Sequence, residues 1–138
     1  MKSPSVSVDI LVIRGNWLLL GLLDMKWCEG EEQLYGVPGR DIRFGEEIGT
    51  TVKRNIQEEF GCTAADHKII CVNANYAQKN HYIGIGITAV MGGEPKLLLP
   101  DDWERWEWFQ KDSLPKNLHP AARHLIDCYL QKKVNVAE

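Results

Sequence analysis

Ile48, Val52, Ile56 and Phe60 recur every four positions through an otherwise polar stretch, and Gly61 follows directly. This spacing predicts a helix over Glu46 to Phe60 that lays one apolar stripe on a core and stops at the glycine. Such a stripe needs a partner surface, and the flanking sequence supplies strands. Upstream, Val6, Val8, Ile10 and Val12 alternate with Ser5, Ser7, Asp9 and Leu11, and Arg14-Gly15-Asn16 turns the chain into Trp17-Leu18-Leu19-Leu20, the pattern of a hairpin. Val37-Pro38-Gly39 then leads to a short strand or extended segment expected at Asp41 to Phe44. Downstream, Lys68 to Tyr76 and His81 to Met91 read as strands, the second with Ile83, Ile85, Ile87 and Ala89 on one face and Gly84 and Gly86 on the other. Glu104 to Phe109 alternates as well, with Trp106 and Trp108 on the face expected to pack on a closing helix. Pro120 opens that helix, whose apolar residues include Ala122, Leu125, Ile126 and Tyr129. The order is strand-rich, helix, strand-rich, helix, with no repeat or linker. It predicts an α/β fold, a mixed sheet between two helices, with residues 1–138 forming one domain.

Composition narrows the function classes. The 138 residues are 44% apolar and 25% charged, which excludes disordered and fibrous chains. Sixteen Lys and Arg against nineteen Asp and Glu give a net charge of −3, which argues against a polymeric nucleic acid held through its phosphates. A small nucleotide carrying its own metal stays open. The apolar runs Asp9 to Ile13 and Trp17 to Leu23 fall well short of the roughly 20 residues that cross a bilayer, and the first residues show no cleavage pattern. A cytosolic protein with no membrane partner is expected. Cys28, Cys62, Cys71 and Cys128 are scattered without a Cys-x-x-Cys pair, which disfavours a zinc cage and predicts reduced, mostly buried thiols.

The helix over Glu46 to Phe60 carries a second face that packing does not require. Asn55, Glu58 and Glu59 lie at i, i+3 and i+4 and project from one strip. Paired carboxylates suit a solvated face, where Arg54 can meet Glu58, or a hard cation such as Mg2+ that takes one or two carboxylates plus substrate phosphate oxygens.

The wider spacing favours the cation. Gly39, Gly45-Glu46, Arg54, Ile56, Glu58-Glu59 and Gly61 resemble the Nudix box, G-x5-E-x7-R-E-U-x-E-E-x-G-U with U a bulky aliphatic. Glu46, Arg54, Ile56, Glu58, Glu59 and Gly61 match in register, Cys62 matches the last position marginally, and two positions depart: Arg40 replaces the first Gly and Asn55 the first Glu. The order of strands and helices is similar to the Nudix fold over most of the chain. Pro100-Asp101-Asp102-Trp103-Glu104-Arg105-Trp106 is similar to the tail of members that clear nucleoside triphosphates.

The resemblance implies metal-assisted attack of water on a diphosphate linkage, with a (deoxy)nucleoside triphosphate giving monophosphate and pyrophosphate as the leading reaction. It implies Mg2+, or Mn2+, held by Glu58, Glu59 and the Gly39 carbonyl, and Glu46 with Arg54 holding loop to helix. It also implies a further acid from a later loop, Glu104 first, with Asp101 and Asp102 as alternatives. Arg40 is expected to meet a substrate phosphate, and Tyr35, Tyr76 and His119 to contact a base. Asn55 brings no charge and accepts no proton. Three readings therefore stand: a hydrolase with a reduced metal set, a nucleotide-sugar hydrolase using a histidine such as His81 or His119, or a nucleotide-binding module with a decayed site. Family members are often dimers, which leaves a homodimer open.

Overall fold

A computed structural model describes residues 3–77 and 80–134. In chain order its elements are β1 (Ser5–Arg14), β2 (Trp17–Leu23), β3 (Tyr35–Gly36), β4 (Gly39–Asp41), α1 (Ile48–Phe60), β5 (Thr63–Ala77), β6 (Asn80–Gly92), β7 (Trp103–Gln110) and α2 (Pro120–Gln131). Among the described residues, seven strands form one mixed sheet in the order β3-β2-β1-β6-β5, with β4 paired to β1 and β7 to β2. β1 runs parallel to β6, Ser5 opposite Tyr82 through Val12 opposite Ala89, and antiparallel to β4, Asp9 opposite Gly39.

Each helix covers one face of this sheet. Val8, Ile10, Val12, Leu19, Ile87 and Ala89 pack beneath Val52, Ile56 and Phe60 of α1. Leu11, Leu18, Leu20, Leu22, Tyr35 and Cys71 pack beneath Leu125, Ile126 and Cys128 of α2. β1 and β2 are covered on both sides, which is why Leu18-Leu19-Leu20 reads as an unbroken apolar run. Each such side chain, fully buried, stabilises the fold by roughly 1.5–3 kcal/mol.

Three expectations shift. The helix starts at Ile48 rather than Glu46: Glu46 donates its N–H to the Arg43 carbonyl and closes a turn, and its carboxylate is taken up by neighbouring donors. The extended segment expected at Asp41 to Phe44 is paired only over Gly39–Asp41, and Phe44 is fully exposed in that turn. Trp106 and Trp108 pack on the α1 side, not against the closing helix. Their partners on β2 are Gly21 and Leu19, and paired residues share a face; it is Phe109, opposite Leu18, that faces α2.

Candidate active site

α1 buries two neighbouring rows at helical spacing, the apolar Val52-Ile56-Phe60 and the polar Thr51-Asn55-Glu59. Arg54 and Glu58 form a third row, turned outward. The strip of Asn55, Glu58 and Glu59 expected from the sequence is therefore divided: Asn55 and Glu59 go inward, Glu58 does not. Adjacent residues on a helix point about 100° apart, so one cannot follow the other.

The outward row is a clamp. Arg54 donates from Nε to Glu46 Oε2 (2.8 Å) and from Nη2 to Glu46 Oε1 (2.9 Å), a bidentate pair, and Nη2 also reaches the Asp41 carbonyl (3.1 Å). Thr51 Oγ1 (2.7 Å) and the Arg43 N–H (3.1 Å) donate to the same carboxylate. These donors, Arg54 first, hold the Glu46 carboxyl well below the usual carboxylate range. β4, the Arg43–Glu46 turn and α1 are thus tied at one point. Glu58, 38% exposed, meets Arg54 Nη1 (3.5 Å) and Arg43 Nη2 (3.6 Å).

The inward row opens on a pocket of about 340 Å3 walled by Asp9, Gly39, Arg40, Glu59, Asp102, Trp103, His119 and neighbours. Glu59 is 3% exposed; the Trp103 indole N–H donates to its Oε2 (3.0 Å), and Arg40 Nε stands 3.5 Å from its Oε1. Burial raises its pKa, and the Arg40 charge and the indole hydrogen bond oppose that rise. Arg40 Nη2 is also 3.9 Å from Asp102 Oδ2. A guanidinium thus stands between two carboxylates, at the position where the box pattern has glycine. Trp27, 55% exposed, donates its indole N–H to Asp102 Oδ1 (3.0 Å) and forms another part of the wall.

His119 caps α2: its Nδ1 accepts the Ala121 N–H (3.2 Å), so in the neutral ring Nε2 carries the proton. Burial lowers its pKa and keeps the ring neutral. Asp9 interrupts the buried strand Val8-Asp9-Ile10 and is packed against Gly39 and Gly84, where added Cβ atoms would lie 2.8 and 2.9 Å from its oxygens. Burial pushes it up to about 6. Among the described residues it has no ion-pair or hydrogen-bond partner.

The remaining sequence candidates lie elsewhere. Glu104 points away from the pocket and pairs with Arg105 Nη1 (3.1 Å). The register of β7 on β2 shifts between Arg105 and Trp103, a bulge that breaks the alternation at Glu104 and sets Trp103 on the same side as Trp106, ring centroids 4.3 Å apart, while Asp102, just before the strand, reaches the wall. Tyr35 is only 8% exposed. Its ring sits edge-on to Phe109 (5.1 Å) and its hydroxyl lies between Glu107 and Arg105, which leaves no face for a base. Asn55 is fully buried, its Nδ2 donating to the Thr51 carbonyl (2.8 Å) while Oδ1 has no partner among the described residues, and it does not line the pocket. The side chain of Tyr76 lies outside the described residues. Sequence reasoning missed Asp9, Trp27 and Trp103. Only Asp9 carried a signal, as a lone acid inside an apolar strand.

No family model matches the chain. It is 29% identical over 136 residues to the NAD-capped RNA hydrolase NudC of Pseudomonas aeruginosa, across 97% of this chain and 47% of that protein. The chain thus spans about half the length of the curated relatives it matches. Among solved structures, a MutT NUDIX hydrolase from Burkholderia pseudomallei superposes with a TM-score of 0.80 at 27% identity, covering 91% of this chain and 98% of that one. A UDP-X diphosphatase superposes at 0.70 with 16% identity, covering 98% and 67%. Fold and sequence likeness together, over nearly the whole chain, show that it has the Nudix fold and is similar in sequence to Nudix hydrolases.

Proposed function

We propose that the chain hydrolyses a diphosphate linkage in a nucleoside diphosphate-linked compound, with (deoxy)nucleoside triphosphates, cut to monophosphate and pyrophosphate, as the leading substrates. The observation that carries this reading is the charge cluster in the pocket: two carboxylates, Glu59 and Asp102, flank the Arg40 guanidinium beside the Gly39 turn. A polyphosphate needs cations on its oxygens and acids to hold the metal it brings, and both kinds of group line one wall.

The donor set fits a hard divalent cation such as Mg2+. Glu59, Asp102 and the Gly39 carbonyl offer oxygen donors only, and one or two protein carboxylates completed by phosphate oxygens is the usual Mg2+ arrangement. Bound there, the ion would neutralise charge on the phosphoryl oxygens and sharpen the acidity of the attacking water. Arg40 binds the phosphate directly, exchanging its contacts with Glu59 and Asp102 for phosphoryl oxygens. Trp103 keeps the Glu59 carboxylate aimed by its N–H, and the Glu46–Arg54 clamp holds β4 against α1 so that Gly39 and Glu59 stay opposed. Asp9, packed against Gly39 on the wall, is the acid placed to take a proton from water. Trp27 and the neutral His119 are the groups placed to meet the base.

A second reading is favoured by the names of the similar proteins. NAD-capped RNA and UDP-X each contain a nucleoside diphosphate joined to a further group, so cleavage inside such a bridged diphosphate uses the same wall. The test is a panel of deoxynucleoside triphosphates, oxidised purine triphosphates, ADP-ribose, NAD and nucleotide sugars incubated with Mg2+, with products followed by phosphorus NMR. Monophosphate and pyrophosphate from the triphosphates are expected. Two monophosphates from the bridged compounds alone would select the second reading, and no turnover across the panel would leave a binding module.

A further inference from the structure

A second group of metal-ligating side chains lies on the opposite face of the sheet from α1. The register of β5 on β6 shifts between Ile69 and Cys71, and such a bulge re-aims the side chain that follows it. Cys71 is thereby buried against α2 rather than exposed like its neighbour Val72. Gly86 stands opposite it, and a side chain there would overlap Cys71 Sγ and come within 2.8 Å of Leu125 Cδ1. The thiol occupies room that only glycine leaves. From α2, His124 and Cys128, one turn apart, approach the same point: His124 Nε2 is 3.7 Å from Cys128 Sγ, and the three donor atoms all lie within 4.8 Å of one another. No other group of three His, Cys, Asp or Glu among the described residues converges in this way.

We propose that Cys71, His124 and Cys128 bind a soft divalent cation, zinc above all, as a clasp between β5 and α2. With zinc–sulfur bonds of about 2.3 Å and zinc–nitrogen bonds of about 2.0 Å, a tetrahedral site has donor–donor edges of about 3.5–3.8 Å, so the sulfur–nitrogen pair already stands at ligand spacing. Two sulfurs and an imidazole select zinc or copper and reject Mg2+, so this site and the oxygen-lined pocket do not compete for one metal. Binding breaks two S–H bonds, sends both protons to solvent and forms two metal–thiolate bonds. Two thiolates and a neutral imidazole around a dication sum to zero, the charge state that an apolar interior tolerates. The fourth position falls to water or to an oxygen near the partly exposed His124; the carbonyl of Val134 lies at this rim, 3.8 Å from Cys128 Sγ. The site's effect reaches the pocket because α2 begins at Pro120 and carries Ala121 and Ala122 of the pocket wall, with His119 as its cap. The scattered cysteines hid this: residue 71 and the pair 124 and 128 meet only through the fold.

The whole chain, thiol-reduced and stripped with chelator, should be titrated with Co2+ as a spectroscopic stand-in. A thiolate-to-cobalt charge-transfer band saturating at one equivalent and bleached by Zn2+ is expected, together with a Zn2+-dependent rise in Tm. The band should persist in Glu59→Gln, which keeps it distinct from the pocket's metal, and vanish in Cys128→Ser. Should that core variant fail to fold, His124→Ala, at a partly exposed position, should bind cobalt at least about tenfold more weakly. Absence of the band in the reduced wild-type protein, a band indifferent to both variants, or a Cys71–Cys128 disulfide in a protein that takes up no metal would each overturn the assignment.

Discussion

Asp9 gives the sharpest energetic prediction. Its carboxyl is packed between Gly39 and Gly84 and burial carries it from 3.8 to about 6. Each pKa unit is worth 1.36 kcal/mol, so the ionised form is disfavoured in the folded state by about 3 kcal/mol. Below pH 3.8 the side chain is protonated in both states and this cost is absent. As pH rises from 3.8 the unfolded chain gives up its proton first, binds fewer protons than the folded chain, and stability falls; above pH 6 both states are ionised and the full cost is in place. Asp9→Asn has the shape of the protonated acid and does not titrate. In metal-free protein the variant should match wild type near pH 4 and exceed it by about 3 kcal/mol at pH 7.5, a rise of roughly 10 °C in Tm for a chain of this length. Paired urea titrations at pH 4, 5, 6 and 7.5 measure the difference. A variant less stable than wild type at pH 7.5, or a difference that does not grow between pH 4 and 6, would refute the argument from burial. If Asp9 takes the proton from water, the same variant loses turnover, the familiar exchange of stability for function.

Arg40→Gly restores the residue of the box pattern and frees Glu59 and Asp102 from their shared cation; Mg2+ affinity by calorimetry should rise about tenfold while KM for a triphosphate rises too. Unchanged Mg2+ affinity would show that Arg40 does not compete for these acids. Asn55→Leu removes a buried amide whose Oδ1 has no partner among the described residues. The Thr51 carbonyl keeps the backbone N–H of residue 55 in the helix ladder, so stability should rise by about 1 kcal/mol in thermal unfolding, and a loss would reveal a hidden partner. Trp103→Phe deletes the donor to a buried carboxylate and should cost about 1.5–3 kcal/mol in urea unfolding, with a further rise in the Glu59 pKa by carboxyl-directed NMR.

The fold was legible because its two periods are clean. Ile48-Val52-Ile56-Phe60 admits only a helix with one covered face, and Val8-Ile10-Val12 only a strand. What failed was pairing. Nothing in the sequence shows that β7 lies along β2, so the covering helix of Trp106 and Trp108 was assigned wrongly, and nothing shows that Asp9 is carried beside Gly39 by the β1–β4 register. Of the box, Glu59, Gly39 and Arg40 meet in one pocket. Glu58 and Asn55 do not join them, because residues spaced one and four from Glu59 sit on other rows or deeper layers than a linear motif conveys. Asp102 rather than Glu104 lines the pocket for an equally local reason, the bulge between Trp103 and Arg105 that breaks the alternation of β7.

The two departures from the box are best understood together, through charge. Asn in place of Glu removes one negative charge, and Arg in place of Gly adds one positive charge, so the box is two charge units more positive than the pattern prescribes, with only Arg40 on the pocket wall. Asn55 is buried in α1 away from the pocket, so a Glu there would be an unpaired charge in an apolar layer unless a metal reached it. The guanidinium meanwhile stands against Glu59 and Asp102, balancing in the metal-free state two acids that would otherwise repel. If the proposed polyphosphate is the substrate, a site built this way needs fewer bound cations to accept it, since part of the neutralising charge is covalently attached. It follows that the dependence of activity on free Mg2+ should be steeper in an Arg40→Gly, Asn55→Glu double variant, which must recruit more of its neutralising charge from solution, than in wild type. Equal slopes in the two proteins would separate the substitutions and leave them as independent drift.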